Sequence, residues 1–249
     1  MENFEEIRIH KYLSRQGLMS IRKAEDAIFR GAVLINGEKA HAGQKIVPGI
    51  DEIILNGVII TPKSEEDNKK IYMMLYKPAG IVTTTSDEKG RPCVTDILAK
   101  SAAKDFEERV YPVGRLDMKS EGLLLLTNDG ETANKIMHPR HKISKIYHVA
   151  IKGEINSQVI KKLSEPIEID GRKTSPAKIS VIEMKNNKTR LKIEIFEGRN
   201  RQIRRMCENL NLEVLKLKRI CVGKLNIGTL KPGQFRYLNN KEIDYLKGL

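Results

Sequence analysis

Tryptophan is absent from this chain, and aromatic residues of all kinds make up only 5% of its 249 residues. Extensive base stacking is therefore not expected, because each stacked base needs its own aromatic face. Cysteine is scarce as well: Cys93, Cys207 and Cys221 are three in number and widely spaced. An odd, unclustered set disfavours a disulfide framework and suits a reducing compartment. No GxGxxG follows a strand-like run and no GxxxxGK[ST] occurs, so neither a dinucleotide site nor a P-loop is indicated. Of the histidines His10, His41, His138, His141 and His148, only His138 and His141 lie close together. No cysteine or carboxylate set accompanies them, which leaves no metal-ligand spacing. Apolar runs such as 123–126 and 58–60 are far too short to cross a bilayer. The opening residues MENFEEIRIHKYL are charged throughout and hold no apolar core of a signal peptide. The expectation is a soluble, cytoplasmic protein that works with side chains alone, without cofactor or metal.

What the chain does have is positive charge. Its 45 Lys and Arg exceed its 32 Asp and Glu, a formal net charge of +13. Such an excess draws a protein towards polyanions, nucleic acid first, although a generally lysine-rich proteome would produce it too. The 40% hydrophobic content is enough for a real core. The stretch TPKSEEDNKK at 61–70 mixes both charges with a proline and carries no large apolar residue. It reads as a tether, since nothing in it could be buried profitably. The expected organisation is a small domain over 1–62, a linker over 63–69 and a larger domain over 70–249.

In the small domain, 8–16 reads as a short helix closed by Gly17, and Ser20 can cap a second helix over 21–30. Ile21, Ala24 and Ile28 share one face of that second helix, while Arg22, Lys23 and Arg30 lie on the other side. Arg8, Lys11 and Arg15 share a face of the first. Asn36-Gly37 and Asn56-Gly57 are two-residue hairpin signals. Two short helices with basic outer faces, followed by small strands, suit a module that grips phosphates without reading bases. Ordinary solvated faces would look the same.

The large domain reads as mixed α and β. KIYMMLYK at 70–77 is continuously apolar at its centre, as a strand buried on both faces would be, and Pro78 ends it. Further strands are expected at 146–151, 178–183 and 190–195, and around Leu215 and Leu217, which alternate with Lys216 and Lys218. Helices are expected at 158–163 and 201–210. Strands outnumber helices without alternating with them, which favours an α+β fold with a largely antiparallel sheet.

Two polar stretches stand out. In EGRNRQIRR, 197–205, a helix from residue 201 puts Arg201, Arg204 and Arg205 within one arc, with Ile203, Met206, Cys207 and Leu210 opposite. Such arginines repel one another unless an anion lies between them, so they are expected to face something anionic. GRLDMKSEGLLLLTNDG, 114–130, puts Arg115 and Asp117 in a loop before a buried-looking strand. By its residues alone, Asp117 reads as a turn former ahead of a catalyst, since Asp commonly hydrogen-bonds its own loop backbone.

The order of helix, Gly17, Ser20-capped helix and VLINGE resembles the S4-like RNA-binding domain over about the first 60 residues. From residue 70 to about 245 the chain resembles the ribosomal pseudouridine synthase family of RsuA and RluB. The motifs carrying that resemblance are KPAG (77–80), GRLDMKSEGLLLLTNDG, KIYHV (145–149) and EGRNRQIRRM (197–206). It implies isomerisation of a uridine in ribosomal RNA, a reaction that needs no cofactor. It also implies Asp117 as catalytic carboxylate, Arg204 as its cationic partner and Tyr147 as stacking or proton-transfer residue. Arg115 would fill the gap left by an extruded base, and Lys77, Arg199, Asn200, Arg201 and Arg205 would contact RNA. Whether Asp117 attacks the sugar, attacks the base or removes a proton stays open. The EGRNRQIRRM and LLLLTNDG forms point to the large-subunit, RluB-like branch. The alternatives are a small-subunit enzyme and a non-catalytic rRNA-binding assembly factor. The expected partner is ribosomal RNA or a subunit precursor, bound by a monomer.

Overall fold

The computed structural model describes residues 5–62, 69–85, 87, 89–101 and 109–249. Apart from Lys69, the expected linker at 63–69 lies outside the described residues. The chain divides into two compact units, Met1–Lys70 and Ile71–Leu249.

In the first unit, helices Ile9–Arg15 and Ile21–Phe29 bury Ile9, Tyr12, Leu13, Ala24, Ala27 and Ile28 against Val33, Ile35, Ile46 and Ile53. Ser20 caps the second helix by accepting from the Lys23 N–H. The strands Glu38–Lys39, Val33–Ile35, Ile53–Leu55 and Val58–Ile59 follow one another across a small sheet. Asn36-Gly37 and Asn56-Gly57 close its two hairpins with positive φ at every position, 51° and 83°, then 49° and 81°. The twist of such turns matches that of the strands they join. One expectation fails: Ile21 is 47% exposed, because it opens its helix one turn beyond the core that takes Ala24 and Ile28.

The second unit is built on a mixed sheet. Its main path runs Lys178–Lys185, Lys188–Ile195, Lys145–Lys152, Val214–Val222, Glu121–Thr127, Tyr72–Lys77, Phe235–Tyr237. All pairings along it are antiparallel except one, where Lys218 and Arg219 lie parallel to Glu121 and Gly122. Strand Tyr72–Lys77 is buried along its whole length. Met73 and Leu75 face one core with Leu124 and Leu126; Tyr72, Met74 and Tyr76 face the other with Leu123 and Leu125. That two-sided burial is why neither segment shows polar alternation.

Strand Val214–Val222 departs from simple alternation. Ile151 pairs with Val214 and Ala150 with Lys216, so Leu215 is an extra residue in a bulge. It is 43% exposed while Leu217 is buried, so the two leucines do not share a buried face as their spacing suggests. A second irregularity, between Ile146 and Tyr147, puts Arg219 directly opposite Tyr147.

Candidate active site

The loop bearing Asp117 is clamped from several sides. Leu116 is buried, and its N–H and C=O both bond the Thr83 hydroxyl, at 3.2 and 2.7 Å. The Gly80 N–H donates to the Met118 carbonyl at 2.7 Å, and the Ser120 N–H to the Asp117 carbonyl at 2.9 Å. Lys77 donates to the carbonyls of Pro78 and Ser120, each at 2.8 Å. Arg204 donates to the Lys119 carbonyl at 3.0 Å. Just beyond the loop, Gly122 has φ of 108°, and a Cβ there would overlap the backbone of Arg219. Only glycine lets the two parallel strands meet at that point.

With its backbone held, the Asp117 side chain opens into a cleft of about 1070 Å³ that Arg115, Tyr147, Lys145, Arg201 and Arg219 also line. Among the described residues the Asp117 carboxylate has no hydrogen-bond or ion-pair partner within 4 Å. Two buried cations act on it through space. Burial lowers the pKa of Lys77 to about 8, while Asp117 pulls it back up. Burial first, and then Arg201, lower the pKa of Arg204, again opposed by Asp117. Each cation is held inside the protein near a carboxylate that only partly compensates it. Two buried polar atoms beside the loop, Ser120 Oγ and Arg204 Nε, have no partner among the described residues. A reserved functional role is one of the explanations such exceptions call for.

Tyr147 is buried to 8% exposure and packs in the core, yet its ring also forms part of the cleft wall. The stacking and packing roles are therefore compatible. Arg115 is exposed at the cleft.

Several expectations for the arginine-rich segment need correction. Arg201 is not helical: it is the N-cap residue, with φ of 51°, and the helix runs Gln202–Glu208. The repulsion among the arginines is answered inside the protein. Arg201 pairs with Glu208 and Arg205 with Asp170, each at 2.9 Å. Arg204 is buried and turned to the Asp117 loop, not outward. Arg199 is committed to Glu197 and to the carbonyls of Ile169, Arg172 and Lys173. It ties hairpin 168–173 to the cleft wall and has little left for an RNA contact. Lys77, also expected to touch RNA, is 0% exposed with its ammonium on two carbonyls. Asn200 remains exposed on the cleft lining.

Lys145, Arg219 and Arg172 line the cleft and were not singled out by sequence. A signal existed for two of them. Lys145 lies two residues before Tyr147 on one strand, and Arg219 alternates with Leu217 on what should be a core face. A cation on a core face is an anomaly that points to function.

In the first unit, Arg8, Lys11, Arg15, Arg22, Lys23 and Arg30 are all exposed. Arg8, Lys11 and Arg15 line one shallow groove together with Lys45. Among the described residues, no helix is long and apolar enough to cross a membrane.

Comparison with known proteins places this geometry. A family model described as RNA pseudouridylate synthase matches residues 71–209, and an S4 domain model matches residues 7–53. The chain is 40% identical to the ribosomal large subunit pseudouridine synthase B of Bacillus subtilis (strain 168), over 97% of this chain and 96% of that protein. It is 35% identical to the dual-specificity RNA pseudouridine synthase RluF of Escherichia coli (strain K12), over 95% of this chain and 77% of that one. A crystal structure of a pseudouridylate synthase matches at a TM-score of 0.67 and 28% identity, covering 96% of this chain and 99% of that chain.

Proposed function

The chain belongs to the RNA pseudouridylate synthase family, and we propose that it isomerises one uridine of ribosomal RNA, in the large-subunit RNA, to pseudouridine. The observation that carries this reading is the unpaired Asp117 carboxylate, opening into a cationic cleft on a clamped loop. The large-subunit target is supported by the 40% identical Bacillus relative, whose name states that substrate.

The reaction breaks the bond from C1′ of the ribose to N1 of the base, turns the base, and joins C1′ to C5. No group is gained and no electron is lost overall. Asp117 is the carboxylate positioned to attack the sugar, attack the base or take a proton. Each role needs it ionised, and Lys77 and Arg204 place positive charge beside its loop. The uridine must leave its stack to reach the cleft, at a cost of a few kcal/mol. Stacking on Tyr147 returns ~1–3 kcal/mol of that. Arg115 fills the vacated position in the RNA, a role that its exposure at the cleft supports. Arg201, Arg205 and Asn200 meet the flanking backbone; the first two exchange exposed ion pairs, each worth little in water, for phosphates.

The S4 unit supplies affinity through Arg8, Lys11, Arg15, Arg22, Lys23 and Arg30. Residues 1–62 and 70–249 act as binding and catalytic domains, joined by 63–69, in a cytoplasmic monomer that meets ribosomal RNA or a subunit precursor.

The test is a pseudouridine map of ribosomal RNA from a strain lacking the gene, complemented with wild type or Asp117→Asn. One missing modification in large-subunit RNA, restored only by wild type, is the expected result. Turnover by the Asn variant should fall on the order of 10³-fold or more with RNA affinity nearly unchanged. A missing mark in the small-subunit RNA would move the target. An unchanged map would return the chain to the non-catalytic alternative.

A further inference from the structure

We propose that Lys145 and Arg219 form an oxyanion site that holds the uracil while it is detached from the ribose. This rests on the reading of the cleft as a pseudouridine synthase centre.

Several charges in the cleft are already used. Of its acids, Asp170 pairs with Arg205 and Glu197 with Arg199. Elsewhere on the strands that carry Lys145 and Arg219, lysines have partners. Lys152 pairs with Glu213, Lys216 with Glu121, and Lys218 lies over the Tyr76 ring. Lys145 and Arg219 differ. Among the described residues, the Lys145 ammonium has neither a hydrogen bond nor an acid within 4 Å. Arg219 is 5% exposed and anchored through Nε to the Leu123 carbonyl at 2.7 Å. Among the described residues its two terminal nitrogens have no protein partner, and neither is sealed away as a buried orphan. Both side chains line the cleft that holds Asp117.

Their mutual placement is fixed by the sheet. Arg219 lies opposite Tyr147 across the strand pair, and Lys145 lies two residues before Tyr147. A base packed on Tyr147 therefore has a cation beside it on each of the two strands. The two repel each other: burial first, and then Arg219, push Lys145 down to about 8. An anionic oxygen between them relieves both costs at once. Arg219 is too deeply buried for a role at the outer wall of the cleft, where a phosphodiester would run. That favours the base as the source of the oxygen.

The chemistry supplies such an anion. When the C1′–N1 bond breaks, its electron pair stays on the base and the charge spreads to the ring carbonyl oxygens. The electron-poor C1′ is met by Asp117, either as a covalent ester or by removal of a sugar proton. The base turns and C5 bonds to C1′, expelling the Asp117 carboxylate from the ester or, in the other route, with the proton held by Asp117 returned to the sugar carbon it came from. The C5 proton then leaves and N1 takes up a proton. Preorganised donors aimed at charge that exists only during the reaction accelerate it without tightening substrate binding. Of the roles open to Asp117, this site favours the two in which the base departs as an anion.

The experiment measures RNA affinity and saturating single-turnover pseudouridine formation on protein-free large-subunit rRNA transcript. It compares wild type, Lys145→Met, Lys145→Arg and Arg219→Lys, each checked for an unchanged melting temperature. Lys145→Met should lose about 10²-fold in single-turnover rate while its Kd stays within about twofold. Lys145→Arg should recover most of the rate, and Arg219→Lys should be slowed with little change in Kd. A Lys145→Met variant that binds RNA weakly but reacts normally once saturated overturns the proposal and makes Lys145 a phosphate contact. Normal rate and normal affinity overturn it as well. A wild-type protein that forms no pseudouridine in rRNA of either subunit overturns the underlying reading, and the oxyanion site with it.

Discussion

The two units use the same residue types in opposite ways. In the S4 unit, the cations on helices Ile9–Arg15 and Ile21–Phe29 point into solvent. In the catalytic unit, Lys77, Arg204 and Arg219 are buried and donate to backbone carbonyls of Pro78, Ser120, Lys119 and Leu123. A surface cation is screened by salt, and its neighbours can replace it. An interior cation cannot be replaced in this way, because it is tied to particular backbone carbonyls, and Lys77 and Arg204 hold the loop that bears Asp117. A net charge of +13 counts the two kinds alike. The contrast suggests two separable jobs for the excess charge under the proposed function: affinity outside, geometry and electrostatics inside.

Removing an interior cation should give the largest separation between the two jobs. Arg204→Met should lower single-turnover rate by about 10²–10³-fold while barely changing RNA affinity. If affinity falls and rate at saturation does not, Arg204 belongs with the surface set and the contrast breaks. Arg204→Lys, which keeps the charge but not the fork geometry, should fall between.

The next effect is on stability. Burial holds the Lys77 pKa at about 8 against an ordinary 10.5. Below pH 8 the folded protein carries the full cost of a buried charge. Between about pH 8 and 10.5 the folded protein has released that proton while the unfolded chain still binds it. Stability relative to Lys77→Met should therefore rise with pH across this window, by up to about 1.4 kcal/mol per unit. The neutral amine still has two N–H groups for the Pro78 and Ser120 carbonyls, so the loop clamp survives. Denaturant melts of both proteins at several pH values check the sign. Lys145, common to both, cancels in the difference.

The smallest effect belongs to the surface. Replacing Arg8, Lys11 and Arg15 together with Ala should leave the melting temperature and saturating rate unchanged. RNA affinity should fall, and the slope of log K against log salt should lose about 2–3, near one per phosphate released. Binding titrations at four salt concentrations would show it, and an unchanged slope would remove this groove from the RNA interface.

Much of the fold was legible because its signals are local. The Ser20 cap, the Asn-Gly turns and the apolar run at 72–77 each follow from the conformational preferences of a few adjacent residues. Leu215 and Ile21 were misjudged where periodicity met a bulge and a helix end. Those breaks are set by what packs opposite and have no marker in the strand or helix itself. The candidate site divides in the same way. Asp117 and Tyr147 were identified through motifs, and both line the cleft. The arginine-rich segment was recognised as important, but where each guanidinium points was not. Arg199 and Arg205 are answered by groups far along the chain, at 169–173 and at Asp170.

The amino-acid sequence by itself determined the class of fold, the S4 resemblance and the family, and it singled out the carboxylate proposed to carry the chemistry. It could do so because turns, caps, apolar runs and contiguous motifs are written in neighbouring residues. Only the tertiary structure decided which cations are interior, which are already paired, and which two beside Tyr147 have no acidic partner among the described residues. Burial and electrostatic partnership depend on distance through space. Arg204 meets Lys119, and Arg219 meets Leu123, across many intervening residues that one-dimensional spacing does not encode.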